Sequence, residues 1–187
     1  MSENCNKKPL IGRDLPQLRQ IVAGLGLPGY AATQIAQWLY EKRVTDIEQM
    51  TNLSKQARKR LAEEYCVGLM PPLMKAESTD GTIKYLFEGC GRRDIEAVYI
   101  PDRERATLCV SSQAGCKMGC KFCMTGRGSF QGQLTTAQII NQILSIENSE
   151  SLTNIVFMGM GEPTDNLDAV LHAIDILTAP WGMGWSP

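Results

Sequence analysis

The sequence has 187 residues, 43% hydrophobic and 21% charged, with a formal net charge of −1. That describes a soluble globular protein of one or two domains; no window approaches the roughly 18 apolar residues of a membrane helix, and the N-terminus has no signal-peptide core. Seven cysteines, an odd number with three in one short run, point to a reducing cytoplasm rather than a disulfide scaffold.

Charge leans basic through Thr107, with 16 Lys and Arg against 14 Asp and Glu, and acidic after it, 3 against 6. So mild an asymmetry does not by itself announce nucleic acid. Asp14 is placed to cap a helix bearing Leu15, Leu18, Ile21 and Val22 on one side. Gly24, Gly26, Pro28 and Gly29 break it, and a second helix is predicted from Tyr30 to Glu41 with Ile35, Trp38 and Leu39 on its apolar face. Ser54 caps a third, to about Tyr65, with Ala57 and Leu61 inward. Its Lys55, Arg58, Lys59 and Arg60 read either as a solvated face or as a phosphate-contacting surface.

From Leu73 the texture becomes that of strands. Asp80-Gly81 is a turn signal between Leu73–Ser78 and Thr82–Glu88, and Asp94–Ile100 and Ala106–Ser112 are further strands separated by turns at 90–93 and 101–105. Beyond that the pattern is β/α. Thr135 or Thr136 caps a helix, Asn154–Gly159 reads as a strand buried on both faces, and Asp165 or Asn166 caps a last helix carrying Leu167, Val170, Leu171, Ile174 and Leu177. Two parallel strands cannot close a barrel, so the sequence reads as the front part of a longer protein.

The chemistry centres on Cys116, Cys120 and Cys123. Zinc usually takes four ligands in two separated knuckles. Three clustered thiols suit a [4Fe–4S] cluster with one open iron, while buried free thiols, or zinc with Cys109 or His172 as a distant fourth ligand, are the alternatives. The run Cys-Lys-Met-Gly-Cys-Lys-Phe-Cys closely resembles the radical S-adenosylmethionine (SAM) signature, in which the open iron chelates SAM and an electron from the cluster cleaves it to a 5′-deoxyadenosyl radical. Gly159-Met160-Gly161-Glu162-Pro163 alone would be a simple turn; beside the cysteine run it resembles the superfamily's SAM-amino-group motif, implying that Gly161 and Glu162 bind the cofactor.

The resemblance goes further. Thr107 to Cys116, Phe122 to Gly126, Leu134 to Ala137 and Asn154 to Pro163 resemble the RlmN/Cfr family, and Asp80-Gly81-Thr82 and Ile95 to Pro101 fit its N-terminal strands. It covers the chain from about residue 12 to the end. It implies methylation of carbon 2 of an adenosine in 23S rRNA, and in tRNA, through a methyl-cysteine. Glu96 takes the proton-abstracting role and Cys109 that of resolving the protein–RNA adduct; from the residues alone they read as a solvated strand residue and a buried strand thiol. The family's methyl-carrying cysteine is expected further downstream, where Cys5, Cys66 and Cys90 do not sit, so this chain alone is not expected to methylate RNA. The implied cofactors are the [4Fe–4S] cluster and SAM. The implied partners are 23S rRNA, tRNA and an electron donor such as flavodoxin or ferredoxin, with a monomer in the cytoplasm and no membrane. Alternatives are carbon-8 methylation within the same family, a non-catalytic RNA-binding iron–sulfur protein, or a zinc module. The fold expected is α/β: a helical RNA-binding accessory domain over 1–70, an antiparallel meander over 71–106, and over 107–187 the first two β/α units of a truncated partial radical-SAM (β/α)6 barrel.

Overall fold

The computed structural model describes residues 7–91 and 93–186; Cys5, Arg92 of the 90–93 turn and Pro187 lie outside them. The chain forms two compact units, one built by the chain up to Leu69 together with the segment from His172, the other by Met70–Leu171.

In the first unit a short strand, β1 (Lys8–Pro9), leads to helix α1 (Leu15–Gly24). Asp14 starts that helix with a full capping box: its carboxylate accepts from Gln17 N at 2.7 Å and the Gln17 side chain accepts from Asp14 N. Leu18 and Val22 turn inward. Helix α2 (Ala31–Ala36) widens into a π-helical stretch, Gln37–Glu41. The wider turn shifts which side chains face inward, so the expectation for Trp38 fails: Leu39 and Tyr40 are buried and Trp38 is half-exposed. Trp38 instead donates its indole N–H to Asn52 and lies under the Lys42 ammonium, 4.1 Å from the ring centre. The Tyr40 hydroxyl donates to the Arg13 carbonyl at 2.6 Å, and its ring meets Trp181 edge-on at 6.2 Å. Burial holds that phenol far above its ordinary value. Helix α3 (Lys55–Glu64) is capped by Ser54 and buries Ala57 and Leu61 as predicted. The chain then forms β2 (Tyr65–Cys66), which pairs in parallel with β1, a ladder too short to leave a mark in the sequence.

The second unit is built on a sheet of order β3-β4-β5-β6-β9: β3 (Met74–Glu77), β4 (Ile83–Cys90), β5 (Arg93–Asp102), β6 (Arg105–Cys109) and β9 (Asn154–Val156). The first four strands pair antiparallel, and β6 pairs with β9 in parallel. Alternation sends Ile83, Tyr85, Phe87, Ile95, Ala97, Tyr99, Ala106 and Leu108 to one buried face. Helix α5 (Thr136–Leu144), with its capping box at Thr135, adds Ile139, Ile140, Ile143 and Leu144 to the same core. Between β6 and α5 lie β7 (Gln113–Ala114), the four-residue helix α4 (Met124–Arg127) and β8 (Gly132–Gln133). A 3-10 turn, Pro163–Asn166, leads into helix α6 (Leu167–Thr178).

Two expectations change here. The strand after α5 is three residues long and half-open, not six and buried on both faces, because the sheet ends at β9, which has β6 as its sole partner among the described strands. Glu162, whose carboxylate accepts from Thr164 N, caps the 3-10 turn Pro163–Asn166 that leads into α6, so Asp165 and Asn166 lie within that turn rather than ahead of it.

Candidate active site

Beyond Cys109 the chain continues through Val110, Ser111 and Ser112, all buried. Ser111 N donates to Gln142 Oε1 at 2.9 Å and Gln142 Nε2 returns a bond to Ser111 O at 3.0 Å. Met160 N donates to Ser111 Oγ at 2.8 Å, and that hydroxyl donates to Glu96 O at 2.6 Å. Ser112 N and Gln113 N both donate to Met160 O, at 2.9 and 3.1 Å. The end of β6 and the turn after β9 are thus sewn together at the C-terminal ends of two adjacent parallel strands, where open α/β sheets carry their ligand sites.

Gln113 completes the seam. It is fully buried. Its Nε2 donates to Gln133 Oε1 at 2.8 Å and to Asp165 Oδ2 at 2.7 Å, and its Oε1 accepts from Glu162 N at 2.9 Å. One amide therefore fixes β8, the Gly-Glu-Pro turn and the start of the last helical segment. The sequence reading assigned it no role; a glutamine at the buried end of a core strand was the available signal, since such a group requires partners. Gly161 fits against it with φ +102°, where an added Cβ would lie 2.6 Å from Gln113 Cβ.

The cysteine loop closes at its base through the β7–β8 pair, Gln113 with Gln133 and Ala114 with Gly132, and Gln131 N donates to Ala114 O at 2.8 Å. Gly115, at φ +84°, leaves room for the Ser129 carbonyl, which a Cβ would approach to 2.3 Å. Cys116 and Cys123 are half-buried and Cys120 is exposed, all as free thiols. The Gly126 N–H, helped by Thr125, pulls the Cys123 thiol below its ordinary value. Phe122, Met124 and Met118 stand exposed around them, Phe122 by 90%. Lys117 bridges to Asp165 at 3.1 Å and lies over the Phe130 ring at 4.4 Å, and with Gln113 it holds the Asp165 carboxyl below its ordinary range. The Thr164 hydroxyl and N–H do the same for Glu162, so its carboxylate is charged at neutral pH.

The second face of the sheet is open. Lys84, Leu86, Glu96, Val98, Thr107, Cys109 and Val156 alternate onto it, half-buried or exposed. Val98 pairs with Cys109 and Leu86 with Glu96, so Glu96 and Cys109 are diagonal neighbours on one surface, roughly 7–8 Å apart. Glu96 Oε1 meets Lys84 Nζ at 3.1 Å. Burial raises the Cys109 thiol above its ordinary 9.0, opposed in part by the Met158 backbone. Less thiolate is then present at any given pH. In the metal-free chain, iodoacetamide followed by mass spectrometry should label Cys109 more slowly than exposed Cys120, with the Cys109 rate still climbing above pH 9; equal rates would show that the site is open.

Two family models match the chain. One, described as the ribosomal RNA large subunit methyltransferase N-terminal domain, covers residues 8–67, and the other, the radical SAM superfamily, covers residues 110–182. The chain is similar to RlmN-type radical-SAM proteins over nearly its whole length. A probable dual-specificity RNA methyltransferase RlmN from Phocaeicola vulgatus is 58% identical over 97% of this chain and 52% of its own length. A dual-specificity RNA methyltransferase RlmN from Bdellovibrio bacteriovorus is 44% identical over 92% of the chain and 44% of its own length. A crystal structure of a radical SAM methyltransferase from Sphaerobacter thermophilus superposes with a TM-score of 0.85 at 35% identity, covering 95% of this chain and 54% of that one. The chain thus spans about half the length of the curated relatives it matches.

The chain presents the donors a three-thiolate cluster requires: three thiols in one eight-residue loop, none in a disulfide. Their types and exposure fit; among the described residues, though, no three His, Cys, Asp or Glu groups are gathered closely enough to hold a metal ion. His172 is exposed on α6. No described helix is long and apolar enough to cross a membrane.

Proposed function

We propose that this chain forms part of a radical-SAM RNA methyltransferase of the cytoplasm that methylates carbon 2 of an adenosine in 23S rRNA and in tRNA. The observation carrying the proposal is the seam through Gln113, which joins the cysteine loop to the Gly-Met-Gly-Glu-Pro turn. Cys116, Cys120 and Cys123 would hold a [4Fe–4S] cluster, and Gly161 and the charged Glu162 would receive the SAM amino group. When bound, this pair supplies the radical chemistry that an sp2 adenine carbon requires, since such a carbon is a poor nucleophile for polar methylation.

The chain's own residues support the later steps. Glu96 would take the proton from the adenine carbon, held meanwhile by Lys84 at 3.1 Å. Cys109, its diagonal neighbour on the open face, would release the protein–RNA adduct: its thiolate would attack the sulfur of the methyl-carrying cysteine, forming the S–S bond as the S–CH2 bond breaks, and the freed carbon would take up a proton to become the methyl group. Residues 1–70 would serve as the RNA-binding accessory domain and 107–187 as the start of the catalytic core. Reduction would come from a flavodoxin or ferredoxin, with the enzyme acting as a monomer. Mass spectrometry of RNA modified by the full-length enzyme tests the assignment: 2-methyladenosine is expected, and 8-methyladenosine would move the protein to the other branch of the chemistry.

A further inference from the structure

The first unit carries a pocket of about 210 Å³ between the Gly26–Pro28 turn, the start of α2 and α3. That is smaller than the roughly 300–1,000 Å³ of a drug-sized ligand site and suits a single planar ring system. Tyr30 lies at its rim, 67% exposed. Gln34 lines the interior, and its Oε1 is buried with no hydrogen-bond partner, an acceptor left for an incoming N–H. Arg60 also lines the pocket, its guanidinium donating to Leu25 O at 3.4 Å. Lys55 and Lys59 are exposed on the same helix. Arg58, by contrast, is turned to Glu48 at 3.3 Å.

We propose that this pocket receives one unpaired nucleobase of the RNA substrate, stacked on Tyr30 with its N–H edge toward Gln34, while Arg60, Lys55 and Lys59 take the flanking phosphates. The inference rests on the RNA reading above and deepens it: the unit would recognise an unstacked base in a loop rather than duplex backbone alone. An exposed aromatic beside cations is the arrangement that binds single-stranded nucleic acid, because every base offers a π-face. The test uses the whole chain, an RNA hairpin with 2-aminopurine in its loop, and a fully paired RNA of equal length. Tyr30→Ala should weaken hairpin binding about tenfold and abolish quenching of the 2-aminopurine, leave duplex binding unchanged, and melt like the parent; Tyr30→Phe should restore both hairpin signals. If Tyr30→Ala weakens both RNAs equally, or neither, while binding persists, the base pocket is wrong and the RNA reading stands. If the parent chain binds neither RNA, both are wrong.

Discussion

Cys120→Ala protein, reconstituted anaerobically with iron and sulfide, should hold no [4Fe–4S] cluster, where the parent chain takes up about four irons. Cys120 is the most exposed of the three loop thiols. It is also tied into the loop's turn, since Cys123 N donates to its carbonyl at 3.1 Å. Alanine keeps that backbone bond and removes one of three protein ligands, so the loss would report ligation rather than misfolding. Two remaining thiolates leave two irons without protein ligands. Cys66→Ala, on β2 in the first unit, should keep the parent's iron content. Iron uptake by the Cys120→Ala chain equal to that of the parent would refute the assignment, and zinc in place of iron in the parent would favour a zinc module.

Gln113→Ala should be the most destabilising single change at the seam. It removes three hydrogen bonds, one of them to a carboxylate, and strands the Glu162 N–H and the Gln133 amide oxygen. At about 1 kcal/mol for each neutral bond and somewhat more for the charged one, the expected loss is about 3 kcal/mol, or a fall of about 10 °C in Tm for a chain of this size. Asp165 keeps its bridge to Lys117, so the effect should not be a general unfolding of the loop. Gln113→Leu, which restores the volume without the polar atoms, should recover little of it. A melting midpoint equal to the parent's for both variants would mean that the amide network contributes nothing to stability.

What the sequence alone determined is local in origin. Caps act over three residues, so Asp14, Ser54 and Thr135 announced their helices correctly. Strand alternation acts over two, so the meander from Met74 to Cys109 could be read. The three cysteines fall within one eight-residue stretch, and their spacing carried the resemblance to the radical-SAM signature before any coordinate did. The tertiary structure decided whatever depends on distant partners. Gln113 meets residues 20 and 52 positions away, and no local pattern marks that convergence. The shared face of Glu96 and Cys109 follows from the register Val98–Cys109, where a slip of one residue would have put Cys109 in the core. Trp38 was misplaced because a π-helical stretch replaced the expected 3.6-residue period, and Asn154–Gly159 because an apolar run does not reveal that its strand will end a sheet.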